Sequence, residues 1–159
     1  MPSSNLPTRR QMLVSMGVFA IVPGFPGFAA PPLAIHIVKV TGCDCCTAWG
    51  ATLTSAGYSV TVEDRDSDAV TAFRAEKGIP EAAAGCHTAL VGDYVIEGHV
   101  PAADIDRLLS VRPDAVGLAV PGMPMGSPGM EFGQGRDAFD VVLVGRDGTI
   151  SAFSSYDAI

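Results

Sequence analysis

Three of the four cysteines of this 159-residue chain lie within four positions, and the fourth lies beside a histidine. Cys43 and Cys46 form a C-x-x-C pair with Cys45 inside it, and Cys86 directly precedes His87 further along the chain. Thiols at such spacings can close structural disulfides, exchange disulfides with a substrate, or bind a soft metal ion as thiolates. The residue types therefore leave three chemistries open.

Other side chains could extend a metal site. Met123, Met125 and Met130 lie on a segment rich in Gly and Pro, residues 117–131, which has little power to bury them. Thioether sulfur binds Cu(I) far better than it binds Zn²⁺. We regard these three methionines, together with His99, as candidate outer ligands.

Strands and helices alternate along the part of the chain that must position the cysteines. Hydrophobic periodicity and turn residues predict strands over residues 33–40, 58–62, 88–91 and 94–97. Three helices are predicted, which begin after Cys46, at Asp66 and at Pro101, and each is followed by a Gly or Pro stop. The predicted order is βαβαββα, an α/β fold class.

The composition shifts after residue 113. Residues 117–131 contain too many helix and strand breakers for either element and are predicted as a loop. Residues 140–144 and 149–153 flank an Asp-Gly turn signal and predict a β-hairpin. We therefore expect one domain over residues 30–159, with a core of about residues 33–112 and an extension over 113–159.

The predicted order, with a C-x-x-C at the junction of the first strand and the first helix, resembles the thioredoxin-like fold and glutaredoxins most of all. Residues 85–98 look like the glutaredoxin passage in which a cis-proline precedes the third strand, and His87 occupies the place of that proline. In thioredoxin-like proteins this loop lies against the C-x-x-C. The resemblance therefore implies that Cys86 and His87 lie next to Cys43, Cys45 and Cys46.

Two of the three chemistries do not need a metal. Structural disulfides would pair Cys43 with Cys46 and leave Cys45 to pair with Cys86. A thiol oxidoreductase would use Cys43 as nucleophile, favoured as a thiolate at a helix N-terminus, and Cys46 as its resolving partner. The presence of His87 in place of the groove-shaping proline argues against the oxidoreductase, which we keep as the alternative.

Metal binding is the favoured interpretation. Thiolates and an imidazole converging on one pocket suit Cu(I) or Zn²⁺, and the methionines favour copper, with zinc as the alternative. Cys45 and Cys46 are adjacent, so their side chains diverge and cannot easily chelate one small ion together. Thiolates that bridge several Cu(I) ions would engage both cysteines better than a single tetrahedral site would. We therefore predict more than one copper ion at Cys43, Cys45, Cys46, Cys86 and His87.

The motifs together resemble a known family. The matching passages are residues 42–46 with Trp49, residues 86–88, residues 97–102, and residues 117–131. They are similar to the bacterial periplasmic metal-binding family of the copper-resistance protein CopG, long catalogued as a domain of unknown function. The resemblance implies a thioredoxin-like fold, a cysteine-bridged multinuclear copper cluster and a role in copper handling or resistance. It implies ligands at Cys43, Cys45 or Cys46, Cys86 and His87, and it leaves enzymatic turnover open.

The N-terminus is typical of an export signal. Arg9 and Arg10 precede a weakly apolar run over residues 12–22, and small residues follow it, which predicts a signal peptide over residues 1–29. The paired arginines resemble the twin-arginine signal, and ordinary secretion stays open as well. This segment holds two of the ten basic residues and no acidic ones, so eight basic and 17 acidic residues remain, a net charge of -9. We expect a periplasmic or otherwise exported bacterial protein.

Charge and hydropathy exclude other classes. A formal net charge of -7 argues against a general nucleic-acid binder, which needs a basic face to neutralise phosphates. The sequence has no uninterrupted apolar run of the roughly 18 residues that a spanning helix needs, so no membrane span is expected in the mature chain. The expected partners are copper ions and other periplasmic copper-handling proteins.

Overall fold

A seven-stranded mixed sheet carries three helices in the computed structural model, which describes residues 32–133 and 135–159. In chain order the elements are β1 (Ala34–Val40), α1 (Asp44–Ser55), β2 (Ser59–Arg65), α2 (Ser67–Glu76), a short 3-10 turn (Glu81–Ala83), β3 (His87–Val91), β4 (Tyr94–Glu97), α3 (Ala102–Val111), β5 (Gly117–Ala119), β6 (Phe139–Val144) and β7 (Ile150–Tyr156).

The strand order across the sheet is β2-β1-β3-β4-β5-β6-β7. β1 pairs parallel with β2 and antiparallel with β3, and β3 forms an antiparallel hairpin with β4. β4 pairs parallel with β5, and the β6–β7 hairpin continues the sheet antiparallel to β5. The carboxyl end of β1 and the start of β3 therefore lie at the same edge, because antiparallel neighbours run in opposite directions.

The sheet buries both of its faces. Ile35 and Ile37 of β1 belong to the main core, to which Trp49 of α1 and Leu108 of α3 also belong. Val38 directly follows Ile37 in sequence and packs instead against α2, in a separate cluster with Val70 and Phe73. Alternation along β1 thus places α1 and α3 on one face and α2 on the other.

The first seven helices and strands follow the predicted order, but the predictions for β2, β7 and residues 117–119 need correction. β2 runs on to Arg65 and β7 to Tyr156, each three residues beyond its predicted end, because each pairs with a neighbouring strand as far as that residue. Residues 117–119 are not loop: they form β5, which is paired on both sides. Gly and Pro on this segment weaken its local preference for strand, and pairing with β4 and β6 overrides that preference.

The predicted signal peptide lies outside the described residues, and the domain boundaries predicted from the sequence stay a prediction. The described residues belong to a single compact unit. In the described ranges, no helix has both the length and the apolar character needed to cross a bilayer.

Candidate metal centre

The first three cysteines lie where β1 passes into α1. Cys43 is the N-cap residue of α1, and Cys45 and Cys46 belong to its first turn. Cys46 is fully buried, whereas Cys43 and Cys45 are half-buried. The exposed backbone N–H groups of a helix N-terminus stabilise negative charge, so this position favours thiolates.

Two of the four cysteines are joined. Cys43 and Cys46 form a disulfide with their Cα atoms 5.4 Å apart, and Cys45 and Cys86 are free. The Sγ atom of Cys45 lies 3.5 Å from that of Cys43, and the Sγ atom of Cys86 lies 3.6 Å from that of Cys46. The structural alternative of two disulfides is thus present only in its first pair, and each free thiol lies beside one half of the disulfide.

Cys86 reaches this position because it directly precedes β3. β3 pairs with β1 so that His87 lies opposite Lys39, one residue before the end of β1. Two imidazoles then border the Cys86 thiol. Its Sγ atom lies 3.3 Å from Nδ1 of His87 and 2.9 Å from Nε2 of His99.

A backbone carbonyl orients the His99 ring. Nδ1 of His99 lies 2.8 Å from the carbonyl oxygen of Pro128. A carbonyl can only accept, so Nδ1 carries the hydrogen and donates it, which leaves the lone pair of Nε2 directed at Cys86. Metal-binding histidines are held in this way, with the second ring nitrogen donating to a carbonyl or carboxylate.

His87 is held by packing. Its ring lies 4.3 Å, centroid to centroid, from that of Trp49 and 5.1 Å from that of His99. Trp49 is itself fixed, because its indole N–H donates to the carbonyl of Val100 at 2.9 Å. The Nε2 atom of His87 is buried and has no hydrogen-bond partner among the described residues. A buried polar atom without a partner is costly unless a ligand completes it.

Burial sets the protonation of these groups in the metal-free protein. Burial, with the neighbouring His99 acting in the same direction, lowers the pKa of His87 to about 3. Burial also lowers the pKa of His99. It raises the pKa of the Cys86 thiol to about 12, with nearby Cys45 acting in the same direction. Both imidazoles are therefore neutral and able to donate a lone pair, whereas a cation would have to displace the proton of Cys86.

These side chains form two overlapping groups, which together are called the cysteine–histidine cluster. The ligand atoms of Cys43, Cys45, Cys46 and Cys86 lie within 4.8 Å of one another, and so do those of Cys86, His87 and His99. Cys86 is common to both groups. The cluster thus contains all five residues predicted as metal ligands, and it also contains His99, which the sequence indicated only as an outer ligand.

Residues 120–131, which carry the three methionines, follow β5 and pass over the start of α1. An added Cβ on Gly129 would lie 2.8 Å from the carbonyl oxygen of Cys45, so only glycine permits this approach. Met123 and Met125 are exposed, as expected. The expectation of exposure is wrong for Met130, which is 9% exposed and buried where the segment turns back on the protein.

Pro128 is a contributor that sequence reasoning missed. Its role rests on a main-chain oxygen, which any residue type supplies, so residue identity carries no signal for it. His99 had a weak signal, a polar residue between a strand and the proline that opens a helix.

Comparison with known proteins identifies one matching family and two similar solved structures. Residues 83–130 match the family described as protein of unknown function DUF411. Two solved structures, of copper resistance protein copG in forms 1 and 2, are similar to this chain. Form 1 is 42% identical with a TM-score of 0.74, and form 2 is 43% identical with a TM-score of 0.73. Each comparison covers 79% of this chain and 98% of the other. No curated protein matches the chain significantly.

Proposed function

Because the chain belongs to the family of the copper resistance protein CopG, we propose that it handles copper, holding Cu(I) in the cysteine–histidine cluster. One observation carries the proposal: the Cys86 thiol stands between two groups of donor atoms, three further cysteine sulfurs and two neutral imidazoles. Soft sulfur with borderline nitrogen is the donor set that Cu(I) prefers. Zinc accepts the same donors and is the alternative.

The donors fit a soft cation in their burial and protonation. Nδ1 of His87 and Nε2 of His99 both face Sγ of Cys86, and neither ring carries a charge near neutral pH. Cys43 and Cys46 become donors only after their disulfide is reduced, which takes two electrons and two protons from a thiol reductant. Loading then releases the thiol protons, so affinity falls with falling pH.

More than one copper ion is proposed. Cu(I) is satisfied by two or three ligands, and six donor side chains lie in two groups that share Cys86. A shared thiolate can bridge two ions. Met130 is the best placed of the three candidate methionines, because it is buried and follows Gly129, whose backbone abuts Cys45. Met123 and Met125 are exposed and would serve as outer ligands during entry or transfer.

A thioredoxin-like core and export complete the proposal. The neighbour order β2-β1-β3-β4, with a parallel β1–β2 pair and an antiparallel β3–β4 hairpin, supports the thioredoxin-like interpretation of residues 33–112. The arginine pair and short apolar run at residues 9–22 support export to the periplasm. Partners there would be other copper-handling proteins, which give or receive Cu(I).

Metal analysis after anaerobic purification from copper-supplemented cells tests the proposal. The wild-type chain is expected to hold more than one copper ion, and Cys86→Ser is expected to lose at least about half of the copper because both donor groups lose a member. A single copper per fully loaded chain would contradict the multinuclear site. Retention of full copper by Cys86→Ser, or zinc in place of copper, would contradict the proposed ligand set or metal.

The disulfide favours a second candidate function, oxidoreduction by Cys43 and Cys46. Reduced to two thiols, this pair could reduce two Cu(II) ions to two Cu(I), forming the disulfide and releasing two protons. It could equally reduce a substrate disulfide, with Cys43 attacking and Cys46 resolving. Insulin reduction or refolding of a scrambled protein, abolished by Cys43→Ser, would support this candidate. If the protein binds several copper ions per chain but shows neither insulin reduction nor refolding of a scrambled protein, the result favours metal binding without thiol oxidoreduction.

A further inference from the structure

A buried ion pair outside the cysteine–histidine cluster holds the segment that carries Cys86. Glu97, the last residue of β4, is completely buried, and Arg74 of α2 is 11% exposed at its side chain. The Nε atom of Arg74 donates to Oε1 of Glu97 at 2.8 Å. Two charges withdrawn from water do not by themselves stabilise a fold, so the other contacts of the pair indicate its role.

Both Arg74 and Glu97 form hydrogen bonds with the backbone of Gly85. The backbone N–H of Gly85 donates to Oε1 of Glu97 at 2.8 Å, and Nη2 of Arg74 donates to the carbonyl oxygen of Gly85 at 3.0 Å. The second carboxylate oxygen is also occupied, because the hydroxyl of Thr88 donates to Oε2 at 2.6 Å. The peptide groups on both sides of Gly85 are therefore fixed, and Cys86 is the next residue.

The hydrogen bonds to Gly85 also fix the distance between Cys86 and His99. Gly85 packs on the backbone of Gly98, so closely that an added Cβ on Gly85 would lie 2.7 Å from Cα of Gly98. Gly98 directly precedes His99. Fixing Gly85 against Gly98 consequently fixes Cys86 against His99, whose Nε2 lies 2.9 Å from Sγ of Cys86.

We propose that Arg74 and Glu97 are positioning residues, which hold the Cys86 thiol within reach of Cys46 and His99 before any ion arrives. The proposal rests on the proposed function for its consequence, metal affinity, but its structural part concerns Cys86 in the metal-free protein. Preorganised donors bind more tightly because the ion does not have to order the loop.

Two variants and one matched control test this. Glu97→Gln keeps the size of the side chain and removes its charge, and Arg74→Lys keeps the charge and removes the planar fork that reaches both Glu97 and Gly85. The control is Asp104→Asn, at a second buried carboxylate that accepts hydrogen bonds from Ser154 and Tyr156 where α3 meets β7. Asp104, Ser154 and Tyr156 are called the Asp104 cluster.

The first readout is alkylation of the metal-free, unreduced protein by iodoacetamide, followed by mass spectrometry. The disulfide protects Cys43 and Cys46, so Cys45 serves as an internal reference for Cys86. Glu97→Gln and Arg74→Lys are expected to raise the Cys86 rate relative to Cys45 about fivefold, because the loop opens more often. Asp104→Asn is expected to leave the ratio unchanged.

The second readout is Cu(I) affinity of the reduced protein, measured by competition with a chromogenic Cu(I) chelator. Both variants are expected to bind about tenfold more weakly, in the range found for residues that orient metal ligands, and Asp104→Asn is expected to bind as the wild type does. If Glu97→Gln does not fold, Arg74→Lys carries the test.

Wild-type alkylation ratios and affinities in both variants would overturn the positioning role, and so would equal changes in Asp104→Asn. A wild-type protein that takes no Cu(I) from the chelator would overturn the proposed function instead. The alkylation ratios would still decide whether Arg74 and Glu97 position Cys86.

Discussion

The cysteine–histidine cluster and the Asp104 cluster are both built from buried and half-buried side chains, but only the Asp104 cluster satisfies its own hydrogen bonds. Asp104 is 5% exposed, and its two carboxylate oxygens each accept a hydroxyl, from Ser154 and from Tyr156, at 2.6 Å. At the other cluster, His87 has a buried nitrogen without a partner among the described residues, and the Cys45 and Cys86 thiols are not joined in a disulfide. A saturated cluster fastens two elements together, whereas an unsaturated one holds donors ready for a ligand.

The largest effect expected from this comparison is on folding. Asp104→Ala removes a buried, charged acceptor from the hydroxyls of two half-buried residues, so the free energy of unfolding should fall by about 3 kcal/mol. Copper affinity should not change, because no donor atom is touched. Urea unfolding and chelator competition on the same protein check both halves. A loss of affinity comparable to the loss of stability would show that the two clusters do not have separate roles.

The reverse effect is expected at His99. His99→Asn retains an N–H that can donate to the Pro128 carbonyl and removes the nitrogen that faces Cys86. Cu(I) affinity should fall by roughly 10- to 100-fold while the free energy of unfolding changes by less than about 1 kcal/mol.

His36→Asn is the matched control for that substitution. His36 lies within β1 and contacts Thr61 and Glu63 of β2 through its two ring nitrogens, at 3.0 and 3.2 Å. The His36→Asn variant should bind Cu(I) as the wild type does. Equal affinities for His99→Asn and His36→Asn would remove His99 from the proposed ligand set.

The smallest effect expected is a pH dependence of stability. Burial holds the pKa of His87 near 3 in the folded protein, below the 6.5 of an unperturbed histidine. The unfolded chain thus binds a proton that the folded chain refuses, so stability is present above pH 6.5 and is lost as the pH falls toward 3. Between pH 6.5 and pH 5 this group alone should cost about 1.5 kcal/mol.

Denaturant titrations of metal-free wild-type protein and of His87→Leu at these two pH values isolate that contribution. His99 acts in the same direction in both proteins, because its pKa is also lowered, and it cancels in the difference. The free energy of unfolding should fall less between pH 6.5 and pH 5 in His87→Leu than in the wild type. Identical decreases would mean that His87 takes up a proton without unfolding.

Local patterns predicted the elements that carry the cysteines. Alternation in β1, the turn at Gly92-Asp93 and the proline at the start of α3 are each encoded within a few residues. The approach of Cys86 to Cys46 followed from the order of these elements together with the thioredoxin resemblance. Such features are predictable because each depends on periodicity or turn chemistry that a short segment contains.

Other features depend on distant partners and left no local sign. β5 looks like a loop, since its strand character comes from neighbours on both sides. Asp104 looks like an ordinary acidic residue in the first turn of a helix, and its hydroxyl partners lie about fifty residues away. The importance of His99 depends on a carbonyl oxygen at Pro128. Contacts of this kind form only when distant parts of the chain have folded together.

The attachment of the C-terminal extension has a consequence for how fast an ion can leave. The Pro128 carbonyl that orients His99 belongs to a segment anchored before it by the three residues of β5 and after it by β6. β6 pairs with β7, which the Asp104 cluster ties to α3. Opening of this segment would withdraw the Pro128 carbonyl from His99 while β1 to β4 stay folded, a partial unfolding smaller than the global one. Residence time at the site would then follow the frequency of that opening, so a substitution at Asp104 could shorten residence without altering equilibrium affinity. Exchange of the ion with an acceptor would be a kinetic property of the extension, and retention a property of the cysteines.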